Sequence, residues 1–315
     1  MNHKISDPLT DLSNSKFKVP KRIIVLGIMR SGTSLVADLV RLWGAYVGPQ
    51  DKIWKSDIND PRGYGYMEYI PLQRLNDELL DGNDRLPPHL GELEKKASEP
   101  EYQEKAISLI QNMDQETVES GQAAWIWKDA RLPLTLPFWE LLWGDVIYVI
   151  TVRHPAEVIL SLAKVAEIDE DGLPYSAGLA YWQYCMFNVL AYTQNNPRKI
   201  FVNYDQLINH PEQETARLCS FLDFHCGSPD KDARQKIEVM QARISGNERH
   251  HQYKKSIAEM SQATKEQRAL YNFLRVKTLY PDESYNRDDF ALYPGWREYL
   301  ESVDALMALQ GIRDM

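Results

Sequence analysis

The sequence predicts a three-layer α/β fold, with a central, mainly parallel sheet flanked by helices. Three observations predict it. Four short runs rich in β-branched and aromatic residues are separated by longer helical patterns. The first run passes through a glycine-bounded turn directly into an amphipathic segment. No apolar stretch reaches membrane-spanning length, and no internal repeat or low-complexity linker breaks the alternation.

The elements follow in order. Residues 1–20 are polar, lack the apolar segment of a signal peptide and are expected to form a flexible arm. Residues 21–315 are expected to form a single domain. The strands are expected at Ile23–Leu26, Ala124–Asp129, Asp145–Val152 and Lys199–Tyr204. Helical patterns cover Leu72–Leu80, Glu104–Val118, Leu134–Trp143, Pro155–Ala166, Tyr175–Tyr192 and Glu212–Leu222. Asp51–Ile70 lacks either periodicity and predicts a long ordered loop. Residues 81–100 predict an irregular cover. Beyond Gln241 the chain mixes loops and helices, with a last helix at Trp296–Leu309.

With 45 acidic against 36 basic residues the net charge is −9, which argues against nucleic acid as a partner. A local cluster of arginines is still enough to bind a small anion. The 3 cysteines, Cys185, Cys219 and Cys226, form no CxxC pair, and an odd count argues against a disulfide framework. A reducing cytoplasm is expected. The 17 Tyr and 8 Trp are enough for an aromatic-lined cleft, although core packing accounts for most such residues.

Functional loops of such a sheet gather at the carboxyl ends of its strands. The notable residues there are Gly27 to Thr33, Lys128 to Arg131, Arg153, and Tyr204 with Asp205. The segment RIIVLGIMRSGTSLVADLV (22–40) has the layout of a phosphate cradle: strand, turn, helix. Gly27 and Gly32 keep the spacing of G-x-x-x-x-G-K-[ST], so the fold is P-loop-like. Thr33, however, replaces the lysine that reaches the β- and γ-phosphates of ATP, and the nearest cation is Arg30. The loop therefore suits a phosphate-like group but not ATP.

A second candidate anion site follows the third strand, in TVRHPAEVILSLAK. Arg153 leaves the strand, Pro155 suits a first helical turn, and Glu157 adds favourable charge at the helix start. Ser161 lies about two turns along that helix. A guanidinium and a hydroxyl so placed could grip one phosphate from two sides; taken alone, a surface ion pair and a helix contact are the favoured explanation. Two such units together imply a ligand with two separated anionic groups.

At this point a resemblance emerges. IIVLGIMRSGTSL, WKDARLPLTLPFW, VIYVITVRHPAEVILSL and FVNYDQLINHPEQETARLCSFLDF, in that order, resemble the sulfotransferase superfamily. They are most similar to its bacterial branch, which acts on glycans and small metabolites. The likeness runs from Arg22 to Phe224. It implies 3′-phosphoadenosine 5′-phosphosulfate as co-substrate and 3′-phosphoadenosine 5′-phosphate as product. It implies that Arg30, Ser31, Gly32, Thr33 and Ser34 hold the 5′-phosphosulfate, and that Arg153 and Ser161 hold the 3′-phosphate. The RKGxxGxWK signature of cytosolic relatives is missing; Ile244–Lys255 is the basic stretch nearest to it in order.

The implied reaction is in-line sulfuryl transfer to a hydroxyl of a glycan, a lipid-linked acceptor or a small metabolite. By analogy with phosphoryl transfer, the protein positions groups and stabilises charge. Arg30 is the first candidate for the cation at the leaving phosphate and Lys128 the second. The acceptor needs a general base. Glu68 leads, since some members carry a catalytic Glu in this loop; a helix-start charge also explains it. Asp129 is second and His89 third. Arg131 is expected to pair with Asp129. No metal is expected: His250 and His251 are adjacent and lack the spacing of paired helix ligands. Trp54, Tyr64, Tyr66, Tyr69 and Trp182 suit an acceptor that is a carbohydrate or an apolar metabolite, and suit ordinary packing equally. The rival classes are a P-loop kinase and a non-catalytic nucleotide-binding module.

Overall fold

In the computed structural model, which describes residues 19–54, 67–81, 90–165, 175–227, 233–244, 253 and 256–279, the four apolar runs are strands of one sheet. They are β1 (Lys21–Leu26), β2 (Ala124–Lys128), β3 (Val146–Val152) and β4 (Lys199–Asn203). All pair in parallel, in the order β2-β1-β3-β4. Every residue of β2 and β3 is buried. A parallel sheet is covered on both faces, which is why its strands carry continuous apolar runs.

Strand parity sorts the core into two layers. Ile24, Leu26, Trp125, Trp127, Tyr148 and Ile150 pack on one face; Ile23, Val25, Ile126, Ile147, Val149 and Val202 pack on the other. The first face is covered by α2 (Ile70–Leu79), α3 (Leu90–Ser98), α4 (Pro100–Glu119), α5 (Leu132–Trp139), α6 (Pro155–Val165), α7 (Tyr175–Thr193) and α11 (Lys265–Leu279). The second is covered by α1 (Thr33–Trp43), α8 (Tyr204–Asn209), α9 (Pro211–Cys226) and α10 (Ala233–Arg243). Each large apolar side chain buried here contributes about 1.5–3 kcal/mol. Among the largest, Trp127 meets Trp139 edge-on at 4.7 Å.

One feature of this layering positions the site. The helix after β1 lies on one face of the sheet, and the helix after β3 lies on the other. The loops leaving these neighbouring strands diverge, so a crevice opens at their carboxyl ends, the usual ligand position in open α/β sheets.

The expected strands and most expected helices are present, with boundary shifts. Residues 81–100 depart from expectation: Leu90–Ser98 is helical and α4 starts at Pro100. Among the residues whose burial is described, Leu93 and Ala97 seat α3 on the core, but a short charged segment after Pro87 and Pro88 reads as a loop in the sequence. The expected helix Leu134–Trp143 is instead Leu132–Trp139, with Pro137 inside it. Pro137 has no N–H for the Pro133 carbonyl. Asn188 Nδ2 on α7 donates to that carbonyl at 2.9 Å instead. The arm to residue 18, residues 55–66 of the long loop, residues 82–89 and the expected last helix lie outside the described residues.

Candidate active site

The loop between β1 and α1 is shaped from within. Gly27 has φ +149°, and a Cβ there would collide with Thr151 Oγ1 on β3. That close approach lets Ser31 Oγ bond Thr151 Oγ1 at 2.7 Å while donating to the Ile28 carbonyl at 2.6 Å. The Ser31 N–H also donates to Ile28 O, at 3.2 Å. Ser31 is thus committed to the loop's shape, by hydroxyl and amide alike. Gly32 (φ +94°) is the N-cap of α1, and a Cβ on it would strike the Tyr204 ring.

No side chain among the described residues caps α1, and its first turn holds no acid. The amides of a first helical turn have no partner within the helix. Together with the helix dipole, those at Thr33 and Ser34 favour an anion.

The two anion units expected from the sequence are in direct contact. Arg30 Nε donates to Ser161 Oγ at 2.9 Å, and Arg153 Nη1 donates to the Arg30 carbonyl at 2.9 Å. Arg153 Nε donates to Glu157 Oε2 at 3.0 Å. Its guanidinium also lies over the Tyr204 ring, 4.4 Å from the centroid. Tyr204 is therefore a common floor beneath Gly32 and Arg153. A guanidinium has five N–H donors. The hydrogen bonds of Arg153 within the described residues engage Nε and Nη1, leaving Nη2 to offer, although the side chain is only 7 % exposed.

A second cluster stands at the end of β2. Lys128 Nζ contacts Glu68 Oε1 at 2.6 Å, and both side chains are buried. The Glu68 carbonyl accepts the Trp54 N–H at 2.8 Å, which fixes its backbone. Arg131 Nη1 reaches Asp129 Oδ1 at 3.1 Å and Glu68 Oε2 at 3.8 Å, and Arg131 Nε pairs with Asp77 at 2.7 Å. Asp129 also accepts from the Arg131 N–H and from Asn76 Nδ2, each at 2.8 Å. Asn76 Oδ1 in turn accepts from Thr135 at 2.9 Å and Trp139 at 2.8 Å. Burial, followed by the neighbouring Glu68 charge, pushes the Asp129 carboxyl up to about 6, against the pull of Arg131 and Asn76.

Of three non-glycine residues in the left-handed region among the described residues, Arg30 (φ 67°) and Met67 (φ 58°), which precedes Glu68, lie at the clusters, and Asp81 (φ 54°) lies at the end of α2. Such residues cost about 1–3 kcal/mol each and collect at functional sites.

Four contributors carried little or no sequence signal as site residues. Thr151 and Asn76 looked like ordinary core positions. Tyr204 was marked only by its place at a strand end. Glu157 was marked by its i, i+4 spacing from Arg153, which also fits a helix-start charge. Tyr69 and Trp182 are buried core residues, so packing accounts for them, whereas Trp54 is 45% exposed. Tyr64, Tyr66, His89, His250 and His251 lie outside the described residues, as does most of Ile244–Lys255, of which Ile244 and Tyr253 are described.

The model of the Sulfotransferase family matches residues 20–226, which includes every strand and both clusters. The chain belongs to the sulfotransferase family. Solved structures similar to this sulfotransferase include the sulfotransferase domain from the curacin biosynthetic pathway, 21% identical, covering 73% of this chain and 84% of that one, with a TM-score of 0.40. The sulfotransferase domain of the Synechococcus PCC 7002 olefin synthase is 19% identical, covers 93% and 97%, and has a TM-score of 0.42. Sulfotransferase STF1 from Mycobacterium tuberculosis H37Rv is 15% identical, covers 73% and 77%, and has a TM-score of 0.41. No curated protein sequence matches the chain. No helix of the sulfotransferase, among the described residues, is long and apolar enough to cross a membrane.

Proposed function

We propose that this sulfotransferase uses 3′-phosphoadenosine 5′-phosphosulfate and transfers its sulfuryl group in line to a hydroxyl. The carrying observation is the contact of the two arginine units, Arg153 Nη1 on the Arg30 carbonyl and Arg30 Nε on Ser161. The two phosphates of the donor are joined through one ribose, so their receptors must be neighbours. The α1 amides at Gly32, Thr33 and Ser34, with Arg30, receive the 5′ end; Arg153 and Ser161 receive the 3′-phosphate. Ser31 serves this site by holding the loop.

The donor supplies a sulfuryl group whose bridging S–O bond breaks as the acceptor oxygen bonds to sulfur, the electron pair going to the 5′-phosphate. Arg30 and the α1 amides stabilise the charge arriving there. Glu68 takes the hydroxyl proton as general base. Asp129, held by three donors from Asn76 and Arg131, is the second candidate. Lys128, bonded to Glu68, stands between the base and the charge that spreads over the sulfuryl oxygens. The reading asks for no metal. Acceptors are hydroxyls of glycans, lipid-linked molecules or small metabolites. The three cysteines are buried and form no disulfide among the described residues, which supports a reducing cytoplasm.

Thermal shift tests the donor. 3′-Phosphoadenosine 5′-phosphate is expected to stabilise the protein by about 2.7 kcal/mol at a hundred times its Kd, and ATP with magnesium is not. The reverse result would favour the kinase. Transfer of ³⁵S from labelled donor to a panel of hydroxyl acceptors separates an enzyme from a binding module.

A further inference from the structure

Glu157 never faces the crevice, yet two parts of the candidate donor site meet on it. It lies one helical turn beyond Arg153 on α6 and is fully buried. Its two oxygens have different partners. Oε2 accepts Arg153 Nε at 3.0 Å, and Oε1 accepts the backbone N–H of Tyr253 at 3.0 Å. The Tyr253 ring also stacks on His154, with centroids 5.1 Å apart and planes 28° apart. Tyr253 is therefore held to the start of α6 by its amide and by its ring.

A guanidinium is planar, and its direction is set once two edges are fixed. Glu157 fixes the Nε edge, and the Arg30 carbonyl fixes one Nη1 hydrogen. Tyr204 supports the flat face. The direction left to Nη2 thus follows from contacts that the donor does not make.

We propose that Glu157 is a positioning residue: it locks Arg153 in the orientation that receives a 3′-phosphate and pins the Tyr253 segment beside it. Discrimination for the 3′-phosphate then depends on a carboxylate that does not touch the ligand. This inference rests on the donor reading above.

The test compares 3′-phosphoadenosine 5′-phosphate with adenosine 5′-phosphate, which lacks only the 3′-phosphate, by calorimetric titration. The wild-type protein is expected to prefer the bisphosphate. Glu157→Gln keeps size and an acceptor oxygen but removes the charge that orients Arg153. It is expected to weaken bisphosphate binding about tenfold, the scale of one charge-assisted hydrogen bond, and to leave adenosine 5′-phosphate binding unchanged. A merely structural role weakens both nucleotides in parallel, and that result, or an unchanged preference, overturns the inference. A wild-type protein that binds both nucleotides equally overturns the donor reading instead. Should Glu157→Gln fail to fold, Tyr253→Pro removes the amide donor and leaves the buried carboxylate in place. It is expected to lower the preference about threefold, a fraction of one such bond; an unchanged ratio overturns the coupling.

Discussion

The two clusters at the carboxyl edge of the sheet are built on opposite charge plans. Around β1 and β3, Arg153 pairs with the buried carboxylate Glu157, while the Arg30 guanidinium donates to the Ser161 hydroxyl. Around β2, three carboxylates, Glu68, Asp129 and Asp77, surround two cations, Lys128 and Arg131. The first plan sets guanidiniums beside hydroxyls and the start of α1, which suits holding an anion. The second sets cations against buried carboxylates, which suits taking a proton. Within each cluster one acid is used for orientation: Glu157 beneath Arg153, and Asp129 beneath Arg131. Sulfuryl transfer needs both plans side by side, since a base placed inside the anion site would be repelled by the donor.

Substitutions can break this division of labour. Removing the proton acceptor should have the largest effect. Glu68→Gln is expected to lower turnover about 10²–10⁴-fold, the usual contribution of general base catalysis, in ³⁵S-transfer kinetics. Bisphosphate binding by calorimetry should persist. Unaltered turnover would remove Glu68 as base and leave the second cluster without its assigned work.

Arg153→Ala strikes the other cluster. It should weaken 3′-phosphoadenosine 5′-phosphate binding about 10–100-fold through loss of a charged contact. It also removes the ion-pair partner of the buried Glu157, so melting should show a loss of stability on the order of a few kcal/mol. If calorimetry finds nucleotide affinity intact, Arg153 does not receive a phosphate.

Gly32→Ala tests the floor. The added methyl meets Tyr204 at a positive φ, so a loss of about 1–3 kcal/mol in denaturant unfolding is expected, together with weaker nucleotide binding. Wild-type stability in this variant would mean that Tyr204 does not back the loop.

The smallest expected effect is on pH dependence, and here the clusters differ in sign. Asp129 is raised to about 6 when folded. The folded state then holds the extra proton between the unfolded carboxylate value, about 4, and 6. Its contribution to stability is complete below about 4 and is lost as pH rises through 6. His154 is lowered to about 4, chiefly by burial. Its contribution is complete above the unfolded value, about 6.5, and is lost as pH falls through 4. Melting temperatures from pH 4 to 7 should therefore rise more steeply with pH in Asp129→Asn, and less steeply in His154→Phe, than in the wild type. Parallel curves for all three would contradict both assignments.

The sheet was largely legible from the sequence because strands buried on both faces must be mostly apolar, as Val146–Val152 is apart from the bonded hydroxyl of Thr151. The helix Leu90–Ser98 was not, since a short charged segment with Gly91 in it, just after Pro87 and Pro88, reads as a loop. The break at Pro137 was also hidden: whether proline ends a helix depends on who takes the freed carbonyl, and the partner, Asn188, is 55 residues from Pro133. Within the site, Arg30, Arg153 and Ser161 were legible because their neighbours in the chain carry the turn and helix signals. Asn76 and Thr151 were not, because each acts through a partner far away in the chain.

By itself the sequence determined the order of strands and helices, the glycine-bounded loop without its lysine, and the identity of the two arginines. Local chemistry sets these: buried apolar runs, backbone freedom at Gly27 and Gly32, and charge type. Only the tertiary structure decided that Arg153 supports the Arg30 carbonyl, that Glu68 meets Lys128, and that Ser31 serves the loop. Those pairings join residues that the chain keeps apart, and only the packing of helices on opposite faces of one sheet brings their atoms within hydrogen-bond reach.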